Sequence, residues 1–125
     1  LIRSRANDGY PIVIAGNMNT DKLVEDTDFN RFIKTTSIDG YTQVDLLPDE
    51  ITYPSNGVHI QGLSSPPESK GTDHILLLYN DATVGTIESY SSSIVEFEAK
   101  LTKCSHLSNH FAIAAELSLS NTTPL

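Results

Sequence analysis

The sequence predicts an α/β or α+β domain, made mostly of strands with one short helix. Three observations carry this reading. Apolar, β-branched runs recur at residues 12–15, 72–79 and 111–119, each ended by a turn residue or a polar cluster. A single amphipathic helical pattern lies between the first two runs. The composition, 38% hydrophobic and 19% charged over 125 residues, supports one folded domain and excludes a disordered or fibrous chain.

In chain order, residues 12–15 read as a buried strand that stops at Gly16 and delivers two amides, Asn17 and Asn19, at its carboxyl end. Residues 20–28 are polar and acidic and read as a solvated face. They lack the alternating acidic pattern of a calcium loop. Residues 28–34 form a short helix, with Phe29, Phe32 and Ile33 on one face and Thr27 or Asp28 as its cap. Residues 41–47 are a strand or an extended loop, and residues 51–53 a short strand stopped by Pro54. Residues 55–71 are structure-poor, and loops of that length tend to be functional or flexible. The run at 72–79 is apolar almost throughout, which predicts a strand covered on both faces. Residues 83–90 and 93–101 read as two strands separated by Ser91 to Ser93. Residues 105–110 are a loop, and residues 111–119 a last core strand.

The formal charge is −8, and no lysine or arginine cluster exceeds two or three residues. A polyanion such as DNA is repelled at long range by that balance, which argues against a nucleic-acid partner. One cysteine, Cys104, excludes an internal disulfide and reads as a small core hydrophobe. No apolar run reaches the length of a membrane helix, and there is no signal-peptide pattern. His59, His74 and His106 read as structural or surface residues, since they lack the spacing of a zinc site. Tyr53 reads as core packing. None of these features points to a compartment.

Polar residues recur at strand ends. Gly16-Asn17-Met18-Asn19 follows one strand, Thr72-Asp73-His74 opens another, and Ser108-Asn109-His110 precedes the last, with Thr52-Tyr53-Pro54 between the first two. Each alone is a common turn or capping pattern. Their order resembles the C-terminal half of the endonuclease/exonuclease/phosphatase superfamily, which includes deoxyribonuclease I, abasic-site endonucleases, inositol phosphatases and neutral sphingomyelinases. The family patterns are G-D-x-N, T-[YW], D-[YH]-[IVL] and S-D-H; this chain has GNMN, TYP, TDHILL and SNHFAIAAEL. The matches span nearly the whole chain. The GNMN form and the long polar loop look most like the neutral sphingomyelinase branch.

The resemblance implies that residues 1–125 are the C-terminal portion of a four-layered sandwich, with two mixed β-sheets flanked by helices. It implies metal-dependent hydrolysis of a phosphodiester, with Mg²⁺ as cofactor and water as nucleophile. By this resemblance Asn17 stands where an Asp activates the water, and Asn19 where an Asn donates to the phosphate. Asp73 holds the catalytic imidazole, His110 is that imidazole, and Asn109 stands at a metal-side Asp. The substrate would be a phosphodiester, including a phospholipid at a membrane surface.

Two departures accompany the resemblance. Asn17 and Asn109 are amides where the family has acids. Losing a positioned proton acceptor costs on the order of 10² to 10⁴ in rate, and losing a carboxylate weakens a hard-cation site. The family's N-terminal half is also missing, so a further segment or second chain is expected to complete the fold. Three functions follow: a sphingomyelinase-like phosphodiesterase, a catalytically degenerate binding or structural subunit of the same fold, and, against the charge, a nuclease.

Overall fold

The computed structural model describes residues 2–24, 27–47, 50–53, 69–82, 87–95, 98–101, 104–106 and 110–120. Helix α1 (Ile2–Arg5) runs through a 3-10 turn (Ala6–Asp8) into strand β1 (Ile12–Asn17). Helix α2 (Thr27–Thr36) and strands β2 (Thr42–Asp45), β3 (Asp73–Tyr79), β4 (Ile87–Val95), β5 (Glu98–Leu101), β6 (Cys104–His106) and β7 (Ala112–Leu119) follow. The domain is α+β. Its described sheets are ordered β1-β3-β2, β4-β7 and β5-β6, and every described strand pair is antiparallel.

Strand β3 is the spine. It lies between β1 and β2, and Asp73 to Leu78 are all buried, as its unbroken apolar run requires. Its side chains alternate between two layers. On one side Ile75 and Leu77 join Leu46 and Leu47, packed against Ile87, Ile94, Ile113 and Leu117 of the β4-β7 ribbon. On the other, His74 meets Phe29 and Phe32 of α2. Each fully buried leucine contributes about 1.5–3 kcal/mol, so β3 carries more of the core than any other described strand.

Helix α2 starts at Thr27 and ends two residues beyond the expected Lys34, so Thr27 and Asp28 fall inside its first turn. The Thr36 hydroxyl donates to the Phe32 carbonyl at 2.9 Å and accepts from Gln43 Nε2 at 2.8 Å, which ties the helix end to β2.

Several expectations change. Strand β1 continues through Gly16 to Asn17, because those residues remain paired with His74 and Asp73. It is an edge strand, so only alternate residues are sheltered, and Val13 is 50% exposed. The serines at 91–93 do not break the chain. They lie inside β4, paired with Glu116, Ala115 and Ala114, and the Ser92 hydroxyl donates to the Leu46 carbonyl. Residues 105 and 106, expected in a loop, belong to strand β6, and residues 51–53, expected as a short strand, form a single bridge among the described residues, Tyr53 to Lys70. Strand β7, expected from Phe111 as a core strand, starts at Ala112; Ile113 and Leu117 pack on the core while its other face is exposed. Nearly all of the 55–71 loop and the side chain of Cys104 lie outside the described residues, as do His59 and the side chain of His106.

The acidic stretch is only partly a solvated face. Asp21 Oδ1 accepts from Gly71 N at 2.9 Å and Leu23 N at 3.1 Å, and Lys22 N donates to the Gly71 carbonyl at 3.1 Å. Gly71 is needed for that approach, since a Cβ there would sit 2.9 Å from the Glu50 carbonyl oxygen. Glu25 and Asp26 lie outside the described residues.

His74 is structural, as expected, and fully buried. Its Nε2 lies 2.8 Å from the Thr20 carbonyl oxygen, which can only accept, so Nε2 carries the proton. Nδ1 has no hydrogen-bond partner among the described residues and faces no compensating acceptor. Burial therefore lowers the pKa of His74 below 6.5, helped by the Lys22 ammonium and opposed by the Thr20 bond, Asp45 and Asp73. In the unfolded chain the same imidazole takes a proton near 6.5, whereas the folded form resists it. The unfolded state thus binds more protons below that pH, and stability falls as pH drops through 6.5. The expected slope is at most about 1.4 kcal/mol per pH unit for one proton. Denaturant midpoints between pH 7.5 and 5 measure it, and His74→Gln, which cannot titrate, should flatten that part of the profile.

Candidate active site

Sheet pairing does the first part of the assembly. Asn17, the last residue of β1, stands directly across from Asp73, the first residue of β3. Both follow the alternation to the side where the β4-β7 ribbon lies, and His110 enters from just before β7.

Asp73 is fixed by its backbone before its side chain does anything. Its N–H donates to Thr52 Oγ1 at 3.0 Å, and the neighbouring Thr72 N–H donates to the same oxygen at 3.1 Å. Its carbonyl accepts from Lys22 Nζ at 3.3 Å. The side chain then takes His110: Nδ1–H donates to Asp73 Oδ2 at 2.8 Å, and the Thr72 hydroxyl donates to that oxygen at 3.3 Å. Asp73 is 12% and His110 25% exposed at the side chain, so the pair is sheltered yet reachable. A carboxylate on Nδ1 selects the tautomer and turns Nε2 toward proton-transfer chemistry.

Thr52 also serves the other side of the pair. Its carbonyl accepts from Phe111 N at 2.8 Å, one residue after His110. The ring of Tyr53 stacks on the His110 imidazole, with centroids 4.5 Å apart and planes 3° from parallel. Tyr53, expected as core packing, thus lies against a site residue.

Asn17 has a local task as well. Its Oδ1 accepts from Asn19 N at 2.8 Å, closing an Asx turn that holds Asn19 in the left-handed region at φ 54°. The ladder continues beside it, with Met18 N donating to the Thr72 carbonyl at 3.0 Å. Both asparagine side chains are exposed.

Of the sequence-derived site residues, Asp73 and His110 are in contact, Asn17 is paired in register with Asp73, and Asn19 follows through the turn. Asn109, the metal-side residue, lies outside the described residues. The described donors do not by themselves fit a magnesium site. No three His, Cys, Asp or Glu side chains converge among them, and Asp73 Oδ2 already takes two donors.

Sequence reading missed Lys22. Its side chain is 1% exposed, and its ammonium lies 3.9 Å from Asp45 Oδ2 while bonding the Asp73 carbonyl. A lysine between acids in a polar run gives no signal of burial. A separate cavity of about 460 Å³, lined by Arg3, Asp39, Tyr41 and Asn80 among others, lies beyond the opposite end of β3. The chain matches no protein-family model, no curated protein and no solved structure.

Replacing Thr52 by Val should leave two buried backbone N–H groups without their acceptor, at a cost of about 1–3 kcal/mol for each unsatisfied group. Urea denaturation measures the loss, and Thr52→Ser, which keeps the oxygen, should recover most of it.

Proposed function

We propose that the chain contributes the acid–base half of a phosphodiester hydrolase of the sphingomyelinase-like type. One observation supports this above the others: the 2.8 Å contact between Asp73 and His110, set beside Asn17 on the neighbouring strand. Asp73 orients the imidazole and stabilises the cation formed when Nε2 takes a proton from the attacking water. The exposed amide of Asn19 is the candidate donor to a phosphate oxygen. Magnesium, which this reaction type commonly uses to neutralise phosphate charge, would need ligands beyond the described donors.

A phospholipid is the preferred substrate class, since a charge of −8 opposes approach to nucleic acid. The proposal includes completion of the fold to a four-layered sandwich with mixed sheets by a further segment or chain. The layering of α2, the β3 sheet and the β4-β7 ribbon supports this reading; every described strand pair is antiparallel, so parallel pairing would have to come from that further segment, and exposed Val13 on the β1 edge is a surface it would cover.

A second reading is favoured by Asn17 itself. Its amide oxygen serves the Asx turn, and it cannot accept a proton, which suits a degenerate binding or structural subunit of the same fold.

Hydrolysis of bis(p-nitrophenyl) phosphate by the complete protein, with Mg²⁺ and with chelator, separates the two. Asn17→Asp with Asn109→Asp should raise the rate on the order of 10² to 10⁴, and His110→Ala or Asp73→Asn in that background should abolish the gain. A double revertant that stays at the buffer rate overturns the hydrolase reading in favour of the degenerate subunit.

A further inference from the structure

We propose that the cavity beyond the carboxyl end of β3 binds a small zwitterion, with Arg3 holding its anionic end and Asp39 its ammonium. The site lies at the far end of β3 from Asp73 and does not depend on the hydrolase reading.

Three segments build its walls, and each is fixed by a bond of its own. The Ile38 carbonyl accepts from Tyr41 N at 3.0 Å, closing a turn whose third residue, Gly40, sits in the left-handed region at φ 79°, so the backbone of Asp39 is held in that turn. Thr42 pairs with Tyr79 across β2 and β3, which brings Tyr41 beside Asn80. Asn80 Oδ1 accepts from Ala82 N at 2.9 Å and bends the chain there. The third wall is the N-terminal helix with its 3-10 turn. It is tied in by the Tyr41 hydroxyl, which donates to the Ala6 carbonyl at 2.8 Å.

The space enclosed is about 460 Å³, within the roughly 300–1,000 Å³ of small-ligand sites. Ala6, Ile38, Tyr41 and Asn80 line it half-buried, and Arg3 and Asp39 line it exposed. Arg5 and Arg31 pair locally, with Asp8 at 3.3 Å and Asp28 at 3.4 Å. Arg3 and Asp39 share one cavity, yet neither side chain is hydrogen-bonded or ion-paired among the described residues. A guanidinium offers a fork of N–H donors to a carboxylate or phosphate, and a carboxylate accepts from an ammonium. A formal charge of −8 disfavours a free anion and gives a simple cation many other carboxylates. The ligand this pair selects is therefore neutral overall and charged at both ends.

The test is a titration of the nitrogen-15-labelled native chain with 4-aminobutyrate and with glycerophosphoethanolamine, read at the amide resonances of Gly40, Tyr41 and Asn80. Butyrate and butylamine, with one charge each, are the controls. At least one zwitterion should give saturable shifts confined to the cavity, and each single-charge probe should bind about tenfold more weakly. Tighter binding of 4-aminobutyrate assigns the anionic end to a carboxylate, and tighter binding of glycerophosphoethanolamine assigns it to a phosphate ester. Arg3→Gln and Asp39→Asn, with the rest of the spectrum unchanged as the check on folding, should each weaken the better zwitterion about tenfold.

The proposal is overturned if neither zwitterion gives a saturable shift. It is also overturned if butyrate or butylamine binds the native chain as tightly as the zwitterions, or if binding is unchanged in either variant.

Discussion

Burial of β3 on both faces is the constraint from which the rest follows. A strand buried on both faces must pair or keep neutral the polar groups it carries, and this one begins with two, Asp73 and His74. The alternation of the pleat sends them to opposite layers. His74 goes toward α2, where aromatic rings enclose it and one carbonyl takes its proton. Asp73 goes toward the β4-β7 side, where hydrogen bonds from His110 and Thr72 compensate its removal from water. One is kept neutral by an apolar surround, and the other is given donors. The same strand thus carries a structural histidine and, one residue earlier, the carboxylate that takes His110.

What was legible in the sequence tracks how local each signal is. The apolar run of β3 and the facing Phe29, Phe32 and Ile33 of α2 are short-range patterns, and both correspond to the observed elements. Asp73 and His110 stood out as polar residues at strand ends, and the fold brings them into contact across 37 residues. The failures are long-range. Ser91 to Ser93 resemble a turn by composition, yet pairing with β7 keeps them extended, and the exposed middle of β4 tolerates small polar residues. Lys22 and Thr52 carry no local mark at all. Their roles exist only because β3 brings the Asp73 backbone to them.

Asn17 shows how one residue can satisfy two explanations. As the cap of an Asx turn it needs only a side-chain oxygen two residues before an amide, and Asp would do this equally well. As the partner of Asp73 across the sheet it occupies a place where a carboxylate would sit close to another carboxylate. Like charges in such a place repel unless a cation or a proton lies between them. An amide removes that repulsion while keeping the turn. The structural role therefore does not distinguish Asn from Asp, whereas the electrostatics do, and the present residue is the one the fold tolerates without a counter-charge.

The buried ammonium of Lys22 bears on the same balance. It is bonded to the Asp73 carbonyl and lies 3.9 Å from Asp45. It also opposes a second positive charge on neighbouring His74. Lys22 thus favours the neutral His74 that the fold requires. The loop that carries it can approach only because Gly71 leaves room beside Glu50. A residue without a side chain, in a stretch of sequence that looked like the end of a loose loop, is therefore part of what seats the lysine that holds the Asp73 backbone and keeps His74 neutral.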